Sequence, residues 1–404
     1  MSFFSRFSRG APMRAQNLDV LMQREEKASR VGPLLSLYSL GRPKWTDRNY
    51  AALAREGFEK NAIVYRAVRM VAEAAASVPW LMFEGRQEIT SHPLLDLLQM
   101  PNPHEAGTVF LETLFGNLFI SGNAYVEAVS LDGNPRELYA LRPDRMRVVP
   151  GRNGWPEAYE YSVGSDKVRF DVGQGLSPIL HLKLFHPLDD YYGFSPLAAA
   201  QMSMDVHNAA SGWNKALLDN AARPSGALVY NGQNGATLSQ EQFDRLKAEL
   251  EESYEGARNA GRPLILEGGL DWKPLSMTPK DMDFMQAKAT AAREIALALG
   301  VPPLVLGLPG DNTFANYQEA NKAFWRQTVI PLIARTQKAF STWLAPVYGT
   351  DLRLDYNVDR IDALSSDRAA EWTRLDNASF LTQDEKREAA GYGALPKAAG
   401  GALA

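Results

Sequence analysis

The stretch that most constrains the fold runs from Pro178 to Val229, PILHLKLFHPLDDYYGFSPLAAAQMSMDVHNAASGWNKALLDNAARPSGALV. It reads as a short strand, a turn, one long helix, and a Pro/Gly break into another strand. Ser195 stands where an N-cap is wanted. Pro196 takes the first helical position, where a missing N–H costs nothing. The helix is expected to run to about Ala222, where Arg223-Pro-Ser-Gly226 stops it. Ala and Ser recur along it, with Met202, Met204, Val206, Trp213, Leu217 and Leu218 between polar residues. Small residues let backbones approach closely, so such a helix suits packing among other helices better than wrapping a single core.

A second helix answers the first. Thr278-Pro-Lys-Asp281 is a capping box with proline at the first helical position. The helix continues through DFMQAKATAAREIALALG to Gly300, and Pro302 and Pro303 forbid continuation. Between the two helices, residues 223–275 read as a compact β-α-β-β module. ALVYNG is its first strand. Ser239 caps a helix over Gln240–Gly256, with Gln242 in a capping box, and RPLILEGGLDWKPL gives two short strands around Gly268-Gly269. The module's helix is acidic, with Glu241, Asp244, Glu249, Glu251, Glu252 and Glu255 against Arg245 and Lys247. A solvated face is the ordinary meaning of such a run.

The body before this joint is α+β. NAIVYRAVRMVAEAAASVPW places Ile63, Val64, Ala67, Val68, Val71, Ala74 and Ala75 at helical spacing, and Pro79 ends that helix. WLMFEG follows as a strand. Ser91-His-Pro opens a second helix with Leu94, Leu95, Leu97 and Leu98 on its apolar face. A third covers Gly107–Ser121, with Thr108 as the expected cap. Strands then follow in NAYVEAVS, ELYALRPDRMRVVP, EAYEYSV, KVRF and ILHLKLF, with Asp132-Gly133-Asn134-Pro135 as a turn.

After Gly300 comes VPPLVLGLPGDN, then a helix from about Thr313 to Leu344 with Pro331 inside, which is expected to kink it. LRLDYNV alternates as a late strand expected to rejoin the body's sheet. Two short helices follow, Ser365–Ala378 and Gln383–Ala390, the second capped by Thr382. At the other end, Met1–Gln16 carries Arg6, Arg9 and Arg14 and no acid. It reads as a basic flexible tail rather than a targeting helix, because Gly10 and Pro12 interrupt it.

Composition sets the outer bounds. The 404 residues are too many for one compact core. No apolar run approaches the length of a membrane helix, and no membrane partner is expected. Cysteine is absent, which excludes disulfides and thiolate chemistry. The formal charge of −4 disfavours tight, salt-sensitive nucleic-acid binding by the chain alone, though not loose passage of DNA past an acidic wall.

The chemistry-bearing patterns are sparse. Asn123 lies among glycines near a helix end, but the stretch lacks a phosphate-loop Lys-Ser/Thr and a dinucleotide fingerprint. His186-Pro-Leu-Asp189-Asp190 offers a His and two carboxylates, too few convergent groups for a metal or acid–base centre, and reads as a polar turn. His181 reads as a satisfied sheet residue. Tyr317, Phe324 and Trp325 read as core rather than a base-stacking platform. No enzyme, catalytic residue, metal or cofactor is expected.

Taken together, NAIVYRAVRMVAEAAASVPW, HPLLDLLQMPNPHEAGTVFLETLFGNLFISGNAYVEAV, ILHLKLFHPLDDYYGFSPLAAA, LLDNAARPSGALV and REIALALGVPPLVLGLPGDNTFANYQEANKAFWRQTVIPLI carry, in their order and spacing, a resemblance. The chain resembles the portal proteins of tailed phages, in the Hong Kong-type branch, nearest in look to portals of gene transfer agents and prophages. The resemblance implies an α+β portal-type fold: a flexible arm (1–29), a wing (30–195) completed by a returning strand (351–358), two stem helices (196–222 and 279–299) flanking a β-α-β-β clip (223–278), a tunnel loop (300–312), a long kinked helix (313–345), and a short helical crown with the tail (359–404). It further implies a ring, usually of twelve subunits, at one capsid vertex, with double-stranded DNA passing non-specifically through the channel.

By the same resemblance, the terminase large subunit and later a head–tail adaptor dock on the clip, and the major capsid protein surrounds the ring. The loop nearest DNA would be Gly307, Leu308, Pro309, Gly310, Asp311, Asn312, Thr313 and Phe314, with the last acidic and polar members either touching DNA or capping the following helix. The docking surface would use Glu241, Asp244, Arg245, Glu249, Glu251, Glu252 and Glu255. Two other readings stay open: another ring-forming head–tail connector component, and an enzyme acting on phosphoryl groups with no recognisable motif.

Overall fold

Three helices and a returning strand build the centre of the molecule. The structure is a computed structural model, and it describes residues 45–173, 175–219, 226–230, 239–241, 244–245, 270–274, 284–310, 313–349 and 351–393. Residues from Thr46 onward belong to one unit. Helix α1 (Tyr50–Leu53) runs into a π-turn, Ala54–Glu59, and then into α2 (Ala62–Ala76). Asn61 caps α2: its Oδ1 accepts from the N–H groups of Ile63 and Val64 at 3.0 and 3.2 Å. The face that α2 buries carries Val64, Ala67, Val68, Val71 and Ala75, five of the seven residues its periodicity marks; Ile63 and Ala74 are half-buried.

Helix α3 (Pro93–Gln99) starts where expected, with Pro93 in the first turn; of the two candidate caps, Ser91 and His92, the N-cap is His92. Helix α4 (Gly107–Ser121) differs from expectation at its start. Its N-cap is Ala106, without a side-chain bond, and Thr108 already lies inside the helix. Close packing decides this: a Cβ at Gly107 would sit 2.1 Å from the Leu98 carbonyl oxygen, so only glycine lets α4 begin against the end of α3. Around α4, Phe110, Leu111, Leu114, Phe115 and Leu118 are buried. Gly122 then ends the helix in the left-handed conformation (φ +78°).

The strands form small antiparallel sheets. β1 (Trp80–Glu84) is central between β2 (Gln87–Ile89) and β11 (Leu352–Tyr356), with Met82 opposite Leu354. The late alternating strand therefore rejoins the body. β3 (Asn123–Leu131) is flanked by β4 (Asn134–Leu141) and β8 (Ile179–Lys183). Asp132 and Gly133, both with positive φ (53° and 79°), make the turn between β3 and β4. The segment ELYALRPDRMRVVP is not one strand. A 3₁₀ turn at Pro143–Arg145 divides it into β4 and β5 (Met146–Pro150), and β5 pairs in another sheet with β6 (Pro156–Val163), which pairs with β7 (Asp166–Asp171). A second, tyrosine-rich core lies here, with Tyr125, Met146, Val148 and Tyr159 buried together.

The long small-residue helix is divided in two. Ser195 caps α5 (Pro196–Ala199) as expected, accepting from the Ala198 N–H at 3.1 Å. At Ala200, φ −85° and ψ 4° interrupt the helix, and α6 (Gln201–Asp219) resumes it. The break aims Gln201 inward, where it is held by Arg48 Nε at 2.8 Å and donates to the Thr46 carbonyl. Asp205 accepts from both the N–H and the hydroxyl of Thr46, at 2.8 and 2.5 Å.

β9 (Gly226–Tyr230) and β10 (Leu270–Pro274) pair antiparallel, Leu228 opposite Trp272. Helix α7 (Phe284–Ala298) packs along α6; its expected cap at Thr278–Asp281 lies outside the described residues. The expected long kinked helix is α8 (Phe314–Phe324), a π-turn over Trp325–Val329, and α9 (Ile330–Tyr348). Pro331 sits in the first turn of α9, and the π-turn just before it takes up the irregularity that a proline forces on a helix. Two tail helices follow, α10 (Ser365–Asp376) and α11 (Gln383–Ala389), the latter with a full Thr382–Glu385 capping box.

Candidate channel loop and docking surface

The connection between the body and α5 is rigid. Asn123, buried, accepts at Oδ1 from the Gly193 N–H (2.6 Å) and from His181 Nε2 (3.0 Å), while its Nδ2 donates to the carbonyls of Ser121 and Gly193. A Cβ on Gly193 would lie 2.1 Å from the Gly122 carbonyl oxygen. Ser195 adds a bond to the Ile120 carbonyl at 2.7 Å. Asn123 thus has a structural role.

His181 is also structural. It stacks on Tyr125 with ring centroids 4.2 Å apart, and burial, aided by the Lys183 charge, pushes its pKa down to about 3. His186 and Asp189 build a polar turn: His186 Nδ1 accepts from the Leu188 N–H, and Asp189 Oδ1 accepts from the N–H groups of Tyr191 and Tyr192. Among the described residues no group of three or more His, Asp or Glu is placed to hold a metal ion, and no helix is long and apolar enough to cross a membrane.

The loop after α7 is wound tightly. Gly300, with φ +68°, lets the chain leave the helix, and Thr328 donates to its carbonyl. Val301 is buried. The Val305 N–H bonds the Pro302 carbonyl at 2.9 Å, and Leu308 bonds Pro303 at 3.0 Å. Gly307 (φ +77°), Pro309 and Gly310 are exposed, and Arg293 of α7 donates to the Pro309 carbonyl. Asp311 and Asn312 lie outside the described residues. Thr313 caps α8 through its side chain, which accepts from the Asn316 N–H. The next residue, Phe314, is 77% exposed. Of the aromatic residues read as core, Phe324 is buried and packs edge-on against Trp325, whereas Tyr317 is exposed.

Of the acidic-helix residues, Glu241, Asp244 and Arg245 are helical and exposed; Glu249, Glu251, Glu252 and Glu255 lie outside the described residues. Sequence reasoning listed Met202, Val206 and Trp213 but did not see that they share one side. On α6, Met202, Val206, Ala209, Gly212 and Trp213 all face outward, with Met202 59% exposed. Spacings of three and four place them on a single stripe. Opposite, Gln201, Met204, His207 and Ala210 are buried. A helical wheel of this segment would have shown the second apolar face. Leu297 and Met285 stand similarly exposed on α7.

Comparison with known proteins accounts for this architecture. The family described as phage portal protein matches residues 62–391. An uncharacterized protein of Rickettsia bellii is 44% identical over 346 residues, spanning 85% of this chain and 88% of that protein. The portal protein of Enterobacteria phage HK97 is 27% identical over 351 residues, 82% of this chain and 79% of its own length. Among solved structures, a chain from the neck of an empty GTA particle computed with C6 symmetry superposes with TM-score 0.70 at 50% identity, covering 88% of this chain and 96% of that one. A chain from the neck of the native particle, computed with C12 symmetry, gives 0.67 at 48% identity over 90% and 99%. The chain belongs to the phage portal protein family, and its mixed helix-and-sheet architecture is the portal fold.

Proposed function

We propose that this chain assembles as a closed ring of twelve copies at one vertex of a gene-transfer-agent or phage-like particle, between head and tail. The observation that carries the ring is the outward apolar stripe of α6. A monomer leaves Met202, Val206 and Trp213 at its surface; in a ring of heterologous contacts each copy presents this stripe to its neighbour, and the rotation closes. The family and the neck structures support the same reading. In this ring α6 and α7 are the stem, the residues around β9 and β10 are the clip, the body with β11 is the wing, and α10 and α11 form the crown.

The ring is the channel for double-stranded DNA during packaging and exit. Gly307–Phe314 is the segment nearest the DNA, and it presents glycine, proline and an aromatic edge rather than cations. With no Lys or Arg in the segment itself and Arg293 of α7 engaged by the Pro309 carbonyl, the loop holds no phosphate strongly, so DNA passes without sticking. The acidic clip helix, through Glu241, Asp244 and their neighbours, receives the terminase large subunit and then the head–tail adaptor, and the wing meets the major capsid protein. The chain itself does no chemistry.

Mass photometry of the purified protein tests the proposal. A species near twelve times the 44.7 kDa chain, with a central hole in negative stain, is the expected result. A monomer that hydrolyses ATP overturns it and favours the phosphoryl-transfer reading.

A further inference from the structure

A cleft of about 530 Å³ opens in the body between α1, the first π-turn, α2, α4 and the β4–β5 connection. Tyr50, Phe58, Val68 and Ile120 form the apolar part of its wall. The π-turn fixes one wall from behind: a Cβ on Gly57 would meet Leu197 and Met204 at 2.9 and 3.0 Å, so the turn is pressed against α5 and α6. Phe58 is further held by the Tyr65 ring, 5.1 Å away between centroids. On the floor lie Gly116 and Asn117. Beyond its own helix backbone and chain neighbours, no described heavy atom lies within 4 Å of where a Gly116 Cβ would stand.

Asn117 is 7% exposed. Its Oδ1 accepts from the Tyr50 hydroxyl at 3.1 Å, and its Nδ2 has no hydrogen-bond partner among the described residues. Turning the amide round only exchanges the ends, because a tyrosine hydroxyl both donates and accepts. One end of the amide therefore has no protein partner among the described residues; it is not among the fully buried atoms left without one, so it is open to the cleft and free to meet a ligand there. The rim adds charge. Arg69 is committed to Glu73 and Tyr65, and Arg142 to Asp144 at 2.8 and 3.1 Å. Glu59 and Glu112 line the same cleft and have no ion-pair or hydrogen-bond partner among the described residues. Once the paired groups cancel, the rim is negative.

The geometry points to this cleft as a binding site for a peptide segment of a partner protein in which an aromatic or large aliphatic side chain is followed by Lys or Arg. The apolar side chain fills the space over Gly116. A peptide carbonyl accepts from Asn117 Nδ2, and the cation meets Glu59 and Glu112. The volume is that of a ligand pocket, and its apolar wall faces a rim of polar and charged groups. The site does not depend on the ring.

The probe is the peptide acetyl-Ala-Phe-Arg-Ala-amide, followed by saturation-transfer NMR with the full-length protein. Transfer to the phenylalanine ring protons is expected. Gly116→Leu should abolish it while leaving thermal stability at or above wild type, since leucine has the better helix propensity. Glu59→Gln combined with Glu112→Gln should weaken binding about fivefold. No transfer with the wild type, or equal transfer with Gly116→Leu, overturns the proposal. So does equal binding of acetyl-Ala-Phe-Ala-Ala-amide, which would make the cleft a pocket for a neutral apolar molecule. Loss of the signal on assembly into rings would assign the cleft to a second copy of the chain and overturn it as well.

Discussion

Helix α4 and helix α6 are of comparable length and opposite character. α4 buries Phe110, Leu111, Leu114, Phe115, Leu118 and Phe119 against the body, and its packing is complete within one chain. α6 buries Met204 and Ala210 on one side and leaves Met202, Val206 and Trp213 exposed on the other. A helix apolar all round belongs in a core; one with two apolar faces and a single partner awaits a second. The contrast separates what stabilises the subunit from what assembles it.

That separation can be broken experimentally, and the largest effect is expected in the body. Phe110→Ala should cost about 3–5 kcal/mol of subunit stability, because a fully buried ring is removed where the surroundings cannot collapse. Urea unfolding of the monomer measures it; a loss under 1 kcal/mol would deny that α4 is completed within the chain. Val206→Asp should do the reverse. Subunit stability should change by no more than about 0.5 kcal/mol, as for ordinary surface substitutions. The ring seen by mass photometry should disappear, and retention of the ring would refute the role given to the stripe.

A third prediction concerns pH and the tyrosine-rich core. Burial depresses His181, so the folded state holds it neutral to about 3, whereas the unfolded chain takes up a proton near 6.5. The sign follows: its contribution is fully present above about 6.5 and is lost as pH falls toward 3, by up to about 1.4 kcal/mol per pH unit. His181→Gln, which retains a donor toward Asn123, should flatten that part of the acid limb relative to wild type. Parallel stability curves for the two proteins would show that His181 contributes nothing to it. The smallest effect is at Thr313. Thr313→Ala should cost about 1 kcal/mol in the first turn of α8, and Thr313→Ser much less. Faster hydrogen exchange at the Asn316 amide in the alanine variant alone identifies the cap; unchanged exchange would free Thr313 for another role.

Much of the architecture was legible in the chain. Proline beside a capping residue marked three starts, at Ser91-His92-Pro93, Ser195-Pro196 and Thr278-Pro279; the first two lie in described residues, where Ser195 caps as read and the choice between Ser91 and His92 falls to His92. Thr382 and Glu385 announced α11. The alternation of LRLDYNV announced β11. What remained hidden were features set by contact. Thr108 looked like a cap, but the approach of Gly107 to Leu98 moved the start of α4 back. The single small-residue helix is interrupted at Ala200, which turns Gln201 inward to Thr46 and Arg48. Of the candidate site, Thr313 was legible as a cap, whereas the α6 stripe was concealed among the polar residues that alternate with it.

The sequence by itself determined the local grammar: where helices start and stop, which strands alternate, and that no thiol chemistry exists. These depend on residues a few positions apart, whose caps and side-chain periods act within one turn. Tertiary structure alone decided that β1 takes β11 as its second neighbour beside β2, that the π-turn rests on Leu197 and Met204, and that Asn117 meets Tyr50 with its other amide end turned to a cleft. Each joins residues far apart in the chain, and what selects them is complementarity between whole packed faces, which no local pattern encodes.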